Sequence, residues 1–134
     1  MVGIILIGHF TAAQALKETV AMIIGERENL TYLSLSKQDK MEDFTVKLKK
    51  LVEETDKGDG VLILADMFGG TPSNAALMLF GKADNVRIIT GFNLPLVIEA
   101  VMHSSKKIDE LVKMLMDRRD KTIVDAKALF NKRV

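Results

Sequence analysis

Apolar and polar positions along this chain follow two different rhythms. Val2 to Ile7 ("VGIILI"), Leu30 to Leu35 ("LTYLSL"), Val61 to Ala65 ("VLILA") and Val86 to Thr90 ("VRIIT") are short runs with the composition of strands. The first and third are unbroken apolar stretches, which suit strands covered on both faces rather than strands with one wet side. Between the runs the apolar spacing changes to three and four. Ala12, Leu16, Val20, Ile23 and Ile24 line one helical face; Thr11 with Gln14 reads as a capping box at its start, and Gly25 supplies the stop. Met41, Phe44, Leu48, Leu51 and Val52 line a second face, with lysines and glutamates opposite. Thr71 is expected to cap a third helix whose first position is Pro72, where the missing N–H is no loss. "GFNLPLVIEAVMHS" repeats that glycine, cap and proline order with Asn93 as the cap, and Ile108, Leu111, Val112, Leu115 and Met116 form the last long stripe. Thr122 to Phe130 ("TIVDAKALF") remains as a short terminal segment.

Strands alternating with helices predict a parallel sheet, because each parallel pair needs a crossover long enough to hold a helix. With right-handed crossovers the simplest solution is an α/β fold with a doubly wound open sheet, four parallel strands in the order 2-1-3-4, and helices on both faces. The crevice of such a sheet lies where strands one and three end side by side. His9 stands just past the first run and Asp66 just past the third. Topology alone should therefore bring together two polar side chains that lie far apart in sequence.

Length, charge and cysteine content narrow the reading. The chain has 134 residues, the size of a single domain spanning 1–134, and no repeat, linker or low-complexity stretch divides it. Nineteen basic residues stand against eighteen acidic ones, so no global field favours nucleic acid or an anionic membrane surface, and any partner must be recognised locally. No cysteine is present, which removes disulfide and thiolate chemistry and most zinc frameworks. The opening "MVGIILIGHF" has no basic leader and too short an apolar run to span a bilayer, so a soluble cytoplasmic protein is expected.

The chemistry of the two strand ends is specific. A carboxylate that accepts from one nitrogen of a neutral imidazole fixes the tautomer and leaves the other nitrogen as a nucleophile. Beside it, "FGGTPS" turns into a helix start, where glycines allow close approach and unpaired N–H groups favour an anion. Phe10 and Thr11, at the start of the first helix, offer a second set of amides. A nucleophilic imidazole at His9, an orienting carboxylate at Asp66 and amide donors around Gly70, Thr71, Phe10 and Thr11 are the parts a phosphohistidine site is expected to need, while a structural histidine, a loop cap and an ordinary turn are the alternatives for each piece alone. Such transfer rests on positioning and charge stabilisation and calls for no cofactor. A metal would need more ligands than His9 and Asp66 supply, and neither GxxxxGK[ST] nor GxGxxG follows the first strand. A response-regulator receiver domain would carry an acidic pair after strand one, where this chain has "IGH". Asn93 is most simply a helix cap and His103 a solvated or capping residue near a helix end.

Taken in order, "GIILIGHFTAAQAL", "MIIGERENL", "GVLILADMFGGTPSNAA" and "ITGFNLPLVIEA" resemble the IIA component of the mannose-type sugar phosphotransferase system over almost the whole chain. The resemblance implies a transferase in which His9 accepts a phosphoryl group from the phosphocarrier protein HPr and passes it to a IIB component on a separate polypeptide during carbohydrate uptake. It implies that Asp66 partners His9, that Gly70 and Thr71 lie beside the phosphate, and that the membrane is met only through a IIC/IID permease. It further implies a homodimer in which the segment 122–130 crosses to the other subunit as an antiparallel edge strand. Phe10 departs from the pattern, since glycine usually follows the histidine. Phe10, Phe68 and Phe92 are candidates for an apolar rim that docks partner proteins, with packing beneath the loops as the alternative, and Asn93 is a weaker docking candidate. Two other roles stay open on the sequence: a regulatory dimer that senses phosphorylation, and the related subunit that feeds dihydroxyacetone kinase.

Overall fold

A computed structural model describes residues 1–133 of the chain. Its elements run β1 (Gly3–His9), α1 (Ala12–Ile24), β2 (Leu30–Leu35), α2 (Met41–Thr55), β3 (Val61–Ala65), α3 (Thr71–Phe80), β4 (Val86–Thr90), α4 (Leu94–Met102), α5 (Ile108–Asp117), a 3₁₀ turn (Arg119–Lys121) and α6 (Ala126–Arg133). The four strands form one parallel sheet in the order β2-β1-β3-β4. This is the predicted topology, with β2, α2, β3 and β4 at the predicted residues.

Alternation along the two central strands divides the core. Ile4, Leu6, Leu62 and Leu64 pack toward α1, α4 and α5, where Ala13, Val20, Val97, Ala100, Leu111 and Leu115 are buried. Ile5, Ile7, Ile63 and Ala65 pack toward α2 and α3, against Phe44, Leu48, Val52, Ala75 and Ala76. Residues 4 to 7 of β1 and all five of β3 are fully buried, as their unbroken apolar runs require of strands sandwiched by helices. Burying one leucine or isoleucine contributes roughly 1.5–3 kcal/mol, so the two central strands anchor the site that grows from their carboxyl ends. Within the described residues no helix is long and apolar enough to cross a membrane.

Two helix ends differ from the sequence reading and a third agrees with it. Thr11 occupies the N-cap position of α1 but its hydroxyl makes no capping hydrogen bond, with φ −96° and ψ 3° in place of the extended backbone a cap needs. The N-cap of α3 is Gly70, so Thr71 already belongs to the helix and Pro72 sits one position later within its first turn. Asn93 does cap α4, its Oδ1 accepting from the Leu96 amide at 3.0 Å.

The expected antiparallel strand over 122–130 is absent in the single chain. Its second half lies in α6 instead, where the Asp125 side chain accepts from the Ala128 amide at 3.0 Å and the Asp125 carbonyl from the Leu129 amide at 3.1 Å. A strand without a neighbour has no ladder to complete, whereas a helix satisfies its backbone within itself. "AKALFNKR", with alanine, leucine and lysine, has the propensity for the helix.

Candidate functional site

The odd-numbered residues of β1 face α2 and α3, so the strand's last residue, His9, leaves the sheet on the side where α3 begins. Parallel pairing aligns Ile7 with Ala65, and the Asp66 amide continues the ladder by donating to the Ile7 carbonyl at 3.0 Å. The two predicted residues, 57 positions apart in sequence, meet there: Nδ1 of His9 lies 2.7 Å from Oδ2 of Asp66. The same oxygen accepts from the His9 backbone amide at 2.8 Å, while Oδ1 accepts from the Met67 amide at 2.8 Å. Gly8 leaves room for this arrangement, since a Cβ there would stand 3.3 Å from Cγ and Oδ2 of Asp66.

These contacts fix the charge and the tautomer. Burial of Asp66 by itself would raise its pKa, but the His9 amide, the His9 ring and the Met67 amide together hold it below the ordinary value of 3.8. The carboxylate is therefore ionised at neutral pH and can only accept, so Nδ1 of His9 carries the proton and donates. Nε2 is left with its lone pair. The His9 side chain is 44% exposed and that of Asp66 only 15%, so the imidazole stands at the surface while the carboxylate stays behind it.

Gly70 forms the other wall. A Cβ at that position would lie 2.7 Å from Cε1 and 3.3 Å from Nε2 of His9, closer than ordinary packing allows. The loop that carries Gly70 is held by Ser73, which is fully buried. Its hydroxyl donates to the Gly70 carbonyl and accepts from the Gly69 amide, each at 3.1 Å. The amino end of α3, with Thr71 as its first residue, thus begins directly beside Nε2, where free N–H groups and the helix dipole favour an anion.

The remaining predicted residues divide. Phe10 lies next to the ring, but its amide donates to the Leu35 carbonyl at 2.9 Å and is unavailable to a phosphate. Phe10 also has φ 54°, a left-handed backbone that costs a side-chain-bearing residue roughly 1–2 kcal/mol. Thr11 is exposed at the start of α1. Phe68 is 75% exposed, as a rim residue must be, whereas Phe92 is half-buried and packs against the core cluster under α1, α4 and α5. Asn93 is committed twice over, to the α4 cap and, through Nδ2, to Oγ1 of Thr122 at 3.2 Å. His103 is the C-cap of α4, its Nε2 3.4 Å from Glu99. Sequence reading missed Gly8, Met67 and Ser73. Of these only Ser73 carried a local signal, a serine three residues past a turn glycine whose hydroxyl can return to the backbone.

Comparison with known proteins gives a consistent picture. Residues 3–116 match the family model EIIA-man, described as PTS system fructose IIA component. The sorbose-specific EIIA component of Lacticaseibacillus casei is 35% identical over 114 residues, covering 84% of this chain and 82% of that protein. The mannose-specific EIIAB component of Escherichia coli K12 is 30% identical over 118 residues, 87% of this chain, and the chain spans 36% of that relative's length. Among solved structures, the PTS IIA protein associated with the fucose utilization operon of Streptococcus pneumoniae superposes with a TM-score of 0.87 at 30% identity, covering 96% of this chain and 95% of that one.

Proposed function

From the premise that this chain belongs to the PTS fructose IIA family, we propose that it is a phosphocarrier whose His9 Nε2 takes a phosphoryl group from phosphorylated HPr and passes it to a IIB component. One observation carries the reading: the 2.7 Å hydrogen bond from Nδ1 to Asp66, which turns a free Nε2 outward beside the amino end of α3.

In the accepting step the Nε2 lone pair attacks phosphorus in line with the donor atom. The new N–P bond forms as the old bond breaks, and its electron pair stays on the donor. Nδ1 keeps its proton, so the ring gains positive character that the Asp66 carboxylate, 2.7 Å away, offsets. The phosphoryl oxygens face the first turn of α3, whose amides need no reorganisation to receive them. In the donating step the acceptor's nucleophile attacks the same phosphorus, and the N–P electron pair returns to Nε2. Positioning supplies the rate, and the two strand ends and Gly70 supply the positioning.

The reading places the chain in the cytoplasm, reaching the membrane only through its permease partners. It also expects a homodimer, which β4 supports as an edge strand with no strand on its outer side among the described residues. Incubation with phosphoenolpyruvate, enzyme I and HPr should give an acid-labile adduct that a IIB component discharges and that His9→Ala abolishes. An adduct that survives His9→Ala refutes the assignment of the nucleophile, and an adduct that no IIB component removes refutes the carrier role.

A further inference from the structure

Phe10 strains the fold and the isolated chain gains nothing visible from it. Among the described residues it is the one non-glycine with positive φ, at 54°, where a Cβ crowds its own backbone. Its ring is 67% exposed, so burial gives no compensation. The hydrogen bond from its amide to Leu35 would be made equally by glycine, without the strain. Backbone strain held at a site beside a reactive group points to a use of the side chain in function. Here the reactive group is the adjacent residue, His9. Exposed apolar side chains also rise from the loop after β3, where Met67 is 53% and Phe68 75% exposed. Met67 reaches the same wall of the ring as Gly70, its Cγ 3.4 Å from where a Cβ of residue 70 would stand.

Resting on the phosphocarrier reading of His9, we propose that Phe10 is the anchor by which the phosphoryl-donor protein is recognised. On this proposal Phe10, Met67 and Phe68, exposed around His9, receive apolar side chains that the donor brings to the site. Attack requires phosphorus within about 3–3.5 Å of Nε2, so a protein donor must cover the residues flanking the ring, while a donor of a few atoms need not. The left-handed backbone aims the phenyl outward in advance. A side chain with two torsions on a preset main chain loses little freedom when it is covered.

Three chains separate strain from docking: wild type, Phe10→Ala, which removes the ring and keeps the crowded Cβ, and Phe10→Gly, which removes both. Phosphorylation of His9 is followed with limiting phosphorylated HPr and, separately, with phosphoramidate as a small donor. Both variants should lower the ratio of the HPr rate to the phosphoramidate rate tenfold or more, with the loss residing in KM for HPr. Phe10→Gly alone should raise the Tm, by a few degrees. A ratio within twofold of wild type overturns the inference, and so does a Tm that falls in Phe10→Gly, which would give the ring a structural purpose. A wild-type chain that takes no phosphoryl group from either donor overturns the phosphocarrier reading itself, a result distinct from an unchanged ratio with both donors active.

Discussion

Replacing Gly70 by alanine adds one methyl group against the reactive ring. The backbone of Gly70, with φ −85° and ψ 168°, is one that alanine adopts freely, so the substitution introduces bulk without conformational strain. Its Cβ would stand 2.7 Å from Cε1 of His9, where carbon atoms prefer about 3.5–4.0 Å. The ring must therefore yield by about 1 Å. It cannot retreat toward Asp66, already at 2.7 Å, so it swings outward into the solvent that reaches 44% of its surface. Because that escape is open, the cost in stability should sit near the lower end of overpacking, about 1 kcal/mol. The cost in rate should be larger, since a displacement of that size at a reacting atom is worth about 10²-fold. Gly69→Ala is the matched contrast. Gly69 has φ 88° and open space around its would-be Cβ, so alanine there should lower stability by about 1 kcal/mol and leave the imidazole where it is. Transfer from phosphorylated HPr by rapid quench, urea unfolding, and ¹⁵N spectra of the His9 ring read the three quantities. Wild-type transfer in Gly70→Ala, or an undisturbed Nδ1–H tautomer signal in a slowed variant, would refute the steric reasoning.

Two further substitutions test the groups behind the ring. Asp66→Asn should slow transfer tenfold to a hundredfold, the usual effect of removing a group that orients a reactive histidine, and the ring should lose its single tautomer by NMR. The folded pKa of Asp66 lies below 3.8, so the ionised carboxylate stabilises the fold above that value, and the gain fades as pH falls through the lowered pKa. Acid unfolding of Asp66→Asn should accordingly be less steep below pH 3.8 than that of wild type, and parallel curves would contradict the assignment. Ser34, on β2 opposite Gly8, has a buried hydroxyl oxygen without a hydrogen-bond partner. Ser34→Ala should leave stability unchanged or raise it by about 1 kcal/mol in urea, and a loss of that size would mean the hydroxyl has a partner after all.

Most of the fold was readable because the strongest signals in the chain are local. "VLILA" is a short unbroken apolar run of the kind that suits a strand covered on both faces, and Asn93 before Leu94–Pro95 states a helix start in three residues. The pairing of His9 with Asp66 was legible for a different reason: once the strand order is known, the ends of β1 and β3 must adjoin. What stayed hidden depends on distances that no pattern encodes. Gly70 read as an amide donor for phosphate, and only coordinates show that it is also the wall against the imidazole. The Phe10 amide, a phosphate donor on the sequence reading, is taken by the Leu35 carbonyl. The edge strand expected over 122–130 rested on the family resemblance and not on a local pattern, and in the single chain the backbone from Ala126 onward coils into a helix. Phe92 and Phe68 share an amino acid type and a loop position after a strand, but one turns into the core and the other into solvent.

Oδ2 of Asp66 grips both the ring and the main chain of His9 through one atom. An imidazole held that way keeps a single heading for as long as both contacts last. On the phosphocarrier reading, giver and taker must then come along the same line by turns, each blocking the other while it is seated. Throughput should therefore peak at an intermediate supply of HPr and decline when its spent form is in excess, because every idle occupant closes the only doorway.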